Sequence, residues 1–187
     1  MLQHAILKFD IMLAKLFGKR LEETIPEVLY GTVMAQARNA ELYTNMGLPD
    51  TVMGRFDALA LHVYLFSRRL ALDNSSASSA LSQEVFDLFI ADLDRALREL
   101  GVGDTSVPKR KKKMVRSFYG QIEDFDQPLL DGNTKLLTKK VAERYLKENP
   151  DASSKLAQYM VDAAEKLLVQ KSEDILSGIL LWPQLDE

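Results

Sequence analysis

The side chains that most often carry out chemistry are scarce in this sequence. It contains no cysteine, which excludes a thiolate nucleophile, a disulfide and a cysteine-ligated metal centre. The two histidines, His4 and His62, fall in different predicted helices, which argues against a histidine-rich metal site. The Gly-x-Ser-x-Gly motif that carries the nucleophile of many serine hydrolases is absent from the sequence. The glycine-rich turn at residues 101–104 lacks the lysine of a phosphate-binding loop. We therefore expect no catalysis and no bound metal or cofactor.

Asp92 and Asp94 lie in a predicted helix and could be mistaken for a metal-binding pair. Residues two apart on a helix point about 200° away from each other, so these carboxylates cannot easily share one ion. Asp94 has Arg98 four residues later, and Arg95 has Glu99 at the same distance. Such spacing favours ion pairs along one helix face. The sequence therefore predicts a structural role for the two aspartates.

Arg55, His62 and Arg69 are spaced seven residues apart. Because a helix drifts by roughly 20° over seven residues, the three side chains form one row along a single helix. The row adjoins an apolar stripe, which leaves two interpretations open. Either the row is paired internally with carboxylates such as Asp92 or Asp104, or it borders a groove that receives a partner.

Five consecutive cations stand where a later helix is predicted to begin, namely Lys109, Arg110, Lys111, Lys112 and Lys113. The acidic residues near the end of that helix are Glu123, Asp124 and Asp126. Both charge clusters oppose the helix dipole, at a cost of roughly 0.3–1 kcal/mol for each charge concerned. Folding alone therefore does not explain the basic run. It is either a solvated face or a docking patch for phosphate, anionic lipid or an acidic partner.

The elements that position these residues are predicted to be helices throughout. Apolar residues recur at alternating spacings of three and four, and no segment shows the two-residue alternation of a strand. We predict helices over residues 1–20, 22–43, 51–72, 79–100, 109–130, 134–149, 151–170 and a short one capped by Ser172. The third is apolar around most of its circumference, which indicates a buried central helix. The serine-rich stretch 73–79 is expected to be a mobile loop, and Gly101 to end the fourth helix in a left-handed cap.

Length and composition bound the fold class. A chain of 187 residues with 47% hydrophobic and 27% charged residues is typical of a globular protein with one domain. We therefore expect a single all-α bundle of about seven to eight helices over residues 1–187, with an amphipathic amino-terminal helix at 1–20, a core at 21–130 and carboxy-terminal helices at 131–187. The net charge of -3 requires any anionic partner to be met by a local patch. The absence of cysteine and of an apolar run of about 20 residues favours a cytoplasmic location.

The central segment resembles the ubiquinol-cytochrome c chaperone family. The strong part of the resemblance covers residues 27–130, and the tail resembles the shorter bacterial branch. The matching residues are Leu29-Tyr30, Ala35-Gln36-Ala37-Arg38, Tyr43, Leu48-Pro49-Asp50-Thr51, Gly54-Arg55-Phe56-Asp57, Leu61-His62, Arg68-Arg69-Leu70, Asp92-Leu93-Asp94, Leu97 through Asp104, Lys113-Met114 and Phe118-Tyr119-Gly120. The basic run at 109–113 departs from the family pattern.

The resemblance implies a chaperone that catalyses nothing. Such a protein would bind newly made cytochrome b at the inner face of the membrane and support the assembly of respiratory complex III. We expect the client to bind in a groove bordered by Arg55, His62 and Arg69, together with Gly101, Gly103 and Asp104. The resemblance also suggests the ribosome as a partner, and the basic run suggests an anionic membrane surface. The alternative is a peripheral module that binds anionic lipid or RNA through Lys109 to Lys113.

Overall fold

The structure, a computed structural model, describes residues 23–147 and 149–185. Over these residues the chain is helical and contains no strand, which confirms the all-α prediction. The helices are α1 (Ile25–Ala37), α2 (Glu41–Thr44), α3 (Val52–Ala71), α4 (Ser76–Glu99), α5 (Val107–Leu130), α6 (Thr134–Arg144), α7 (Ser153–Leu168) and α8 (Ser172–Leu176), with a 3₁₀ turn at Pro150–Ala152 before α7. The helix predicted over residues 1–20 and His4 lie outside the described residues.

Helix α3 is the central element, as its sequence predicts. Its amino terminus is capped by Thr51, whose hydroxyl accepts a hydrogen bond from the backbone N–H of Gly54 at 3.1 Å. The helix packs against α1, α4, α5 and α7. Because neighbours surround it, side chains on most of its faces are buried, including Leu61, Val63 and Phe66 with no exposed surface.

The predicted second helix is two helices in the structure, α1 and α2. The break follows from Asn39, whose side-chain oxygen accepts a hydrogen bond from the backbone N–H of Glu41 at 2.9 Å. A short polar side chain that bonds the backbone in this way competes with a continuous helix. The amino terminus of α1 carries a capping box, in which Thr24 and Glu27 bond each other's backbone N–H groups.

The serine-rich connection is shorter than its composition indicates, and the prediction of a loop through residue 79 is wrong. Helix α4 already begins at Ser76, because the Ser75 hydroxyl accepts a hydrogen bond from the backbone N–H of Ser78 and caps the helix. The Ser78 side chain is fully buried and donates to Asp73 at 2.7 Å. Serine is frequent both in loops and at the start of helices, so its abundance here did not distinguish the two.

The later helices follow the predicted order with shifted ends. Helix α5 starts at Val107, so the whole basic run is helical, and Pro108 is tolerated in its first turn. Helix α6 ends at Arg144 instead of near residue 149. Ser172 is the first residue of α8 and not its cap, since its hydroxyl bonds Asp73 instead. Within the described part of the chain, no helix is both long and apolar enough to cross a membrane.

Candidate functional site: an apolar groove with a cationic rim

A groove of about 1030 Å³ opens on the bundle between α1 and α2 on one side and α5 on the other, above α3 and α4. Buried apolar side chains form its floor: Phe56, Phe89, Leu93, Leu97 and Met114. The rings of Phe56 and Phe89 stack with their centroids 6.0 Å apart. Because α3 and α4 hold these rings and neither shows more than 7% of its surface, the floor is part of the core and is preformed.

Helical spacing places the lining residues on the same faces. On α4, Phe89, Leu93 and Leu97 recur every four residues and lie along one stripe. On α5, Arg110, Lys113 and Met114 share a face, because they are separated by three and four residues. The groove is therefore lined by an apolar stripe from α4 and a face of α5 that changes from basic to apolar along the chain.

The rim of the groove is also apolar in part. Val52, Met53 and Leu100 line it and expose 56%, 50% and 55% of their surfaces. Single exposed apolar residues are common on proteins, but a contiguous group around an apolar cleft is typical of a binding surface. Methionine suits such a place because its flexible thioether adapts to different partners.

Four cations line the groove, namely Arg38, Arg55, Arg110 and Lys113. Arg55 is paired with Asp50, whose Oδ1 lies 2.7 Å from its Nε. This ion pair is exposed, and the hydrogen bond from Arg55 lowers the pKa of Asp50. The structure thus places Arg55 at the groove, and its role in partner binding stays a prediction.

The basic run divides into three sets of side chains. Lys111 donates from Nζ to Asp94 Oδ1 at 2.8 Å and joins α5 to α4, and this bond lowers the pKa of Asp94. Arg110 and Lys113 line the groove. Lys109 and Lys112 are exposed and lie outside the groove lining. The run is therefore not one uniform patch.

Asp92 and Asp94 hold neighbouring helices in place. Asp92 accepts a hydrogen bond from the Tyr30 hydroxyl at 3.0 Å, which ties α4 to α1. Asp94 pairs with Arg98 at 2.9 Å, as its spacing predicts. Because the two carboxylates contact different helices, their structural interpretation is confirmed. No cluster of potential metal ligands occurs within residues 23–147 and 149–185.

His62 lies in the core, so the prediction that it borders the groove is wrong. It has no exposed surface. Its Nδ1 lies 2.7 Å from the carbonyl oxygen of Ala58 and its Nε2 lies 2.6 Å from the hydroxyl of Tyr159. Because a carbonyl only accepts, Nδ1 carries the proton and Nε2 accepts from Tyr159. Trp182 covers the ring edge-on at 5.1 Å. Burial lowers the pKa of His62 to about 4.

Arg69 is also internal, with 6% of its surface exposed, and does not border the groove. Its Nε donates to the carbonyl oxygen of Leu167 at 2.8 Å, and Nη2 donates to that of Gln170 at 2.8 Å. The remaining nitrogen pairs with Asp73. The alternative of internal pairing therefore applies to Arg69, although its partner is Asp73 and neither Asp92 nor Asp104 as suggested. The guanidinium joins α3 to the end of α7.

The turn after α4 lies at one end of the groove, through the lining residues Leu100 and Val102. Gly101 has a φ of 75°, which confirms the left-handed helix end. Asp104 is exposed and pairs with Arg98. Gly103 has open space around the position of a side chain. A direct role of Gly101, Gly103 or Asp104 in partner binding stays a prediction.

Helix α3 also carries a partly buried carboxyl, Asp57, whose charged neighbour is Arg144 of α6. Burial raises the pKa of Asp57 to about 6, an effect that the charge of Arg144 opposes. The side chain of Asp57 is outside the groove lining. Its titration therefore concerns the packing of α3 and not the binding surface.

Sequence reasoning missed several lining residues, among them Met34, Arg38 and Met53. Arg38 lies within one of the segments that carry the family resemblance, which was the available signal. Met53 follows the helix cap at Thr51, where an exposed methionine in the first turn has no role in the core. That Arg38 and Met53 line one groove follows only from the packing of α1 and α3 beside α4.

Two comparisons with known proteins give similarities to this chain. Residues 44–182 match the model of the ubiquinol-cytochrome C chaperone family. A crystal structure of the Cbp3 homolog from Brucella abortus is similar to this chain, with a TM-score of 0.80 and 30% sequence identity over 93% of this chain and 97% of that one. No curated protein sequence gives a significant match. The match to the family model covers well over half of the sequence, and the fold agrees across nearly its whole length. The chain belongs to the ubiquinol-cytochrome C chaperone family.

Proposed function

We propose that this protein is a non-catalytic assembly chaperone that binds newly made cytochrome b and supports the formation of ubiquinol-cytochrome c reductase. The family membership supports a chaperone with a protein client. The observation that carries the proposal is the groove, in which buried rings form the floor and Val52, Met53 and Leu100 expose apolar surface at the rim. A client segment with an apolar face would cover this surface.

The lining of the groove suits a helical segment. Residues of α1 and α2 on one side and of α5 on the other border its apolar floor. An amphipathic or apolar helix that lies in such a groove is anchored by side chains at spacings of three and four. A membrane protein that is not yet inserted or assembled exposes segments of this kind to water. The groove would hold one of them until assembly proceeds.

The test is recovery of the client from cells. Tagged protein should co-purify with cytochrome b from cells that make complex III, and deletion of its gene should lower the amount of assembled complex. Recovery should survive high salt, because an apolar contact is not screened by ions. If no cytochrome b is recovered above background and deletion leaves complex III intact, the proposal fails.

A second candidate function rests on Lys109 and Lys112, which are exposed and do not line the groove. These lysines would meet an anionic membrane surface or RNA, including that of the ribosome. Binding through them should weaken steeply with salt and with charge reversal. The salt response therefore separates the two functions. Such attachment would place the chaperone at the inner face of the membrane.

A further inference from the structure

We propose that the groove is selective for a polypeptide helix whose apolar stripe is bordered by carboxylates, and that Arg38, Arg110 and Lys113 recognise those carboxylates. The inference rests on the proposed function, because it specifies the chemistry of the segment that the groove receives. We refer to Arg38, Arg110 and Lys113 as the rim cations. Arg38 follows the end of α1, and the other two lie in the first turns of α5.

The rim cations have no partner that would explain them. Within the described residues, none of the three takes part in an ion pair, whereas Lys111 between them pairs with Asp94. Arg110 and Lys113 also stand near the amino terminus of α5, where a positive charge opposes the helix dipole. The fold would be served better by neutral or acidic residues there. A role in recognition accounts for cations that the fold itself does not use.

The charge of the groove is positive after its internal pairs are considered. Its two acidic lining residues are already engaged: Asp50 pairs with Arg55, and Asp92 pairs with Arg95 and accepts from Tyr30. The rim cations then face a largely apolar cavity. A carboxylate from an occupant would form charge-assisted hydrogen bonds there, which are stronger than those between neutral groups.

The surroundings favour a polypeptide over RNA or a lipid surface. Single-stranded RNA needs exposed rings on which bases stack, but Phe56 and Phe89 show at most 7% of their surfaces. A membrane surface would meet exposed cations directly, as Lys109 and Lys112 offer, and would not reach a floor enclosed by helices. A helix with an apolar stripe and acidic borders complements both the floor and the rim cations.

The experiment measures fluorescence anisotropy with three labelled helical peptides of about 18 residues, long enough to form a helix on binding. The peptides share one leucine stripe and differ only at the bordering positions, which are Glu, Gln or Lys. They are titrated with the full-length protein, with the double variant Arg110→Glu and Lys113→Glu, and with the matched control Lys112→Glu and Lys135→Glu. The two variants have equal net charge, and the control positions, near the amino termini of α5 and α6, are exposed and do not line the groove. Glutamate near a helix amino terminus is favourable, so both should fold.

The wild-type protein and the control should bind the Glu peptide at least about tenfold more tightly than the Lys peptide. The Arg110 and Lys113 variant should lose this preference or reverse it. Equal affinity of the wild-type protein for all three peptides would overturn the inference while leaving the apolar groove as a client site. An equal loss in both double variants would overturn it too, because the effect would then be one of overall charge.

Two further outcomes bear on the occupant. If none of the peptides binds, the groove does not receive a helix and the inference fails. If the Arg110 and Lys113 variant no longer floats with phosphatidylglycerol vesicles while its peptide preference is unchanged, the cations serve a membrane and the inference again fails. Failure of the proposed function itself would show separately, as the absence of cytochrome b from the wild-type pull-down.

Discussion

The hydroxyl of Tyr159 on α7 donates a hydrogen bond of 2.6 Å to Nε2 of His62 on α3. The bond requires a neutral imidazole, and burial lowers the pKa of His62 from 6.5 to about 4. Between these values the unfolded chain binds the proton more readily than the folded one. His62 therefore contributes to the free energy of unfolding above pH 6.5, and this contribution is lost as the pH falls towards 4. The loss amounts to about 3 kcal/mol.

This first prediction is tested by urea unfolding of the wild-type protein and of His62→Gln between pH 4 and 7. The wild-type protein should lose more stability than the variant across this window, because glutamine does not titrate. Parallel curves for the two proteins would show that His62 titrates normally and is not desolvated as the structure indicates.

Asp57 should act in the opposite direction. Its pKa is raised from 3.8 to about 6 by burial, so the folded protein holds the proton more tightly than the unfolded one. The stability linked to this group is present below pH 3.8 and is lost as the pH rises through 6. The free energy of unfolding of Asp57→Asn, compared with that of the wild-type protein, should therefore be more favourable at pH 7 than at pH 4. A stability difference that does not change with pH would contradict the shifted pKa.

Arg69 and Arg55 lie in the same row but should differ greatly in importance. Arg69→Met removes a buried guanidinium that donates to Asp73 and to the carbonyl groups of Leu167 and Gln170, at a cost of about 3–5 kcal/mol. Arg55→Met breaks a pair in which the side chains are 66% and 60% exposed, and should cost less than about 1 kcal/mol. Thermal and urea unfolding measure both. Similar losses in the two variants would contradict the burial of the Arg69 network.

Two glycines provide a matched pair for the entry into α3. A methyl group at Gly54 would overlap the carbonyl oxygen of Pro49, so Gly54→Ala should displace the 48–50 segment at a cost of about 1–3 kcal/mol or more. Gly31 in α1 has no atoms near the same position, and Gly31→Ala should stabilise the protein by about 0.5–1 kcal/mol. Equal unfolding free energies for the two variants would show that the segment is not held against α3.

Met53 should affect client binding more than stability. Met53→Glu places a charge on the apolar rim and should lower the recovery of cytochrome b about tenfold. Leu130→Glu is the control, because Leu130 is similarly exposed at 63% but lies outside the groove lining. Both variants should unfold within about 0.5 kcal/mol of the wild-type protein. Equal client recovery by the two variants would place the binding surface elsewhere.

The long helices could be predicted because their apolar residues repeat with the helical period, as in α3 and α4. The break between α1 and α2 could not, since it depends on one hydrogen bond from the backbone N–H of Glu41 to the side-chain oxygen of Asn39. The row of Arg55, His62 and Arg69 was correctly placed on one helix. The burial of His62 and Arg69 was not predictable, because their partners Tyr159, Leu167 and Gln170 come from a segment about 100 residues later.

The groove itself was anticipated only in part. Arg55 and the run at 109–113 were recognised as candidates from the sequence. Periodicity shows which face of a helix is apolar but does not show which apolar faces are left uncovered. That distinction requires the relative placement of α1, α4 and α5, and it separates Arg110 and Lys113 from Lys111.

The side-chain amide of Gln36 donates to the hydroxyl of Tyr159 and to the carbonyl oxygen of Pro183, partners that are 123 and 147 residues away in the sequence. Gln36 lies on α1 between Met34 and Arg38, which line the groove. During synthesis, α1 leaves the ribosome long before Pro183 is added. The wall that α1 contributes, already tied to α4 through Tyr30 and Asp92, therefore gains these two hydrogen bonds only after residues 159–183 have been made. Contacts of such long range in the sequence slow folding, so this wall is among the last parts of the groove to become fully bonded.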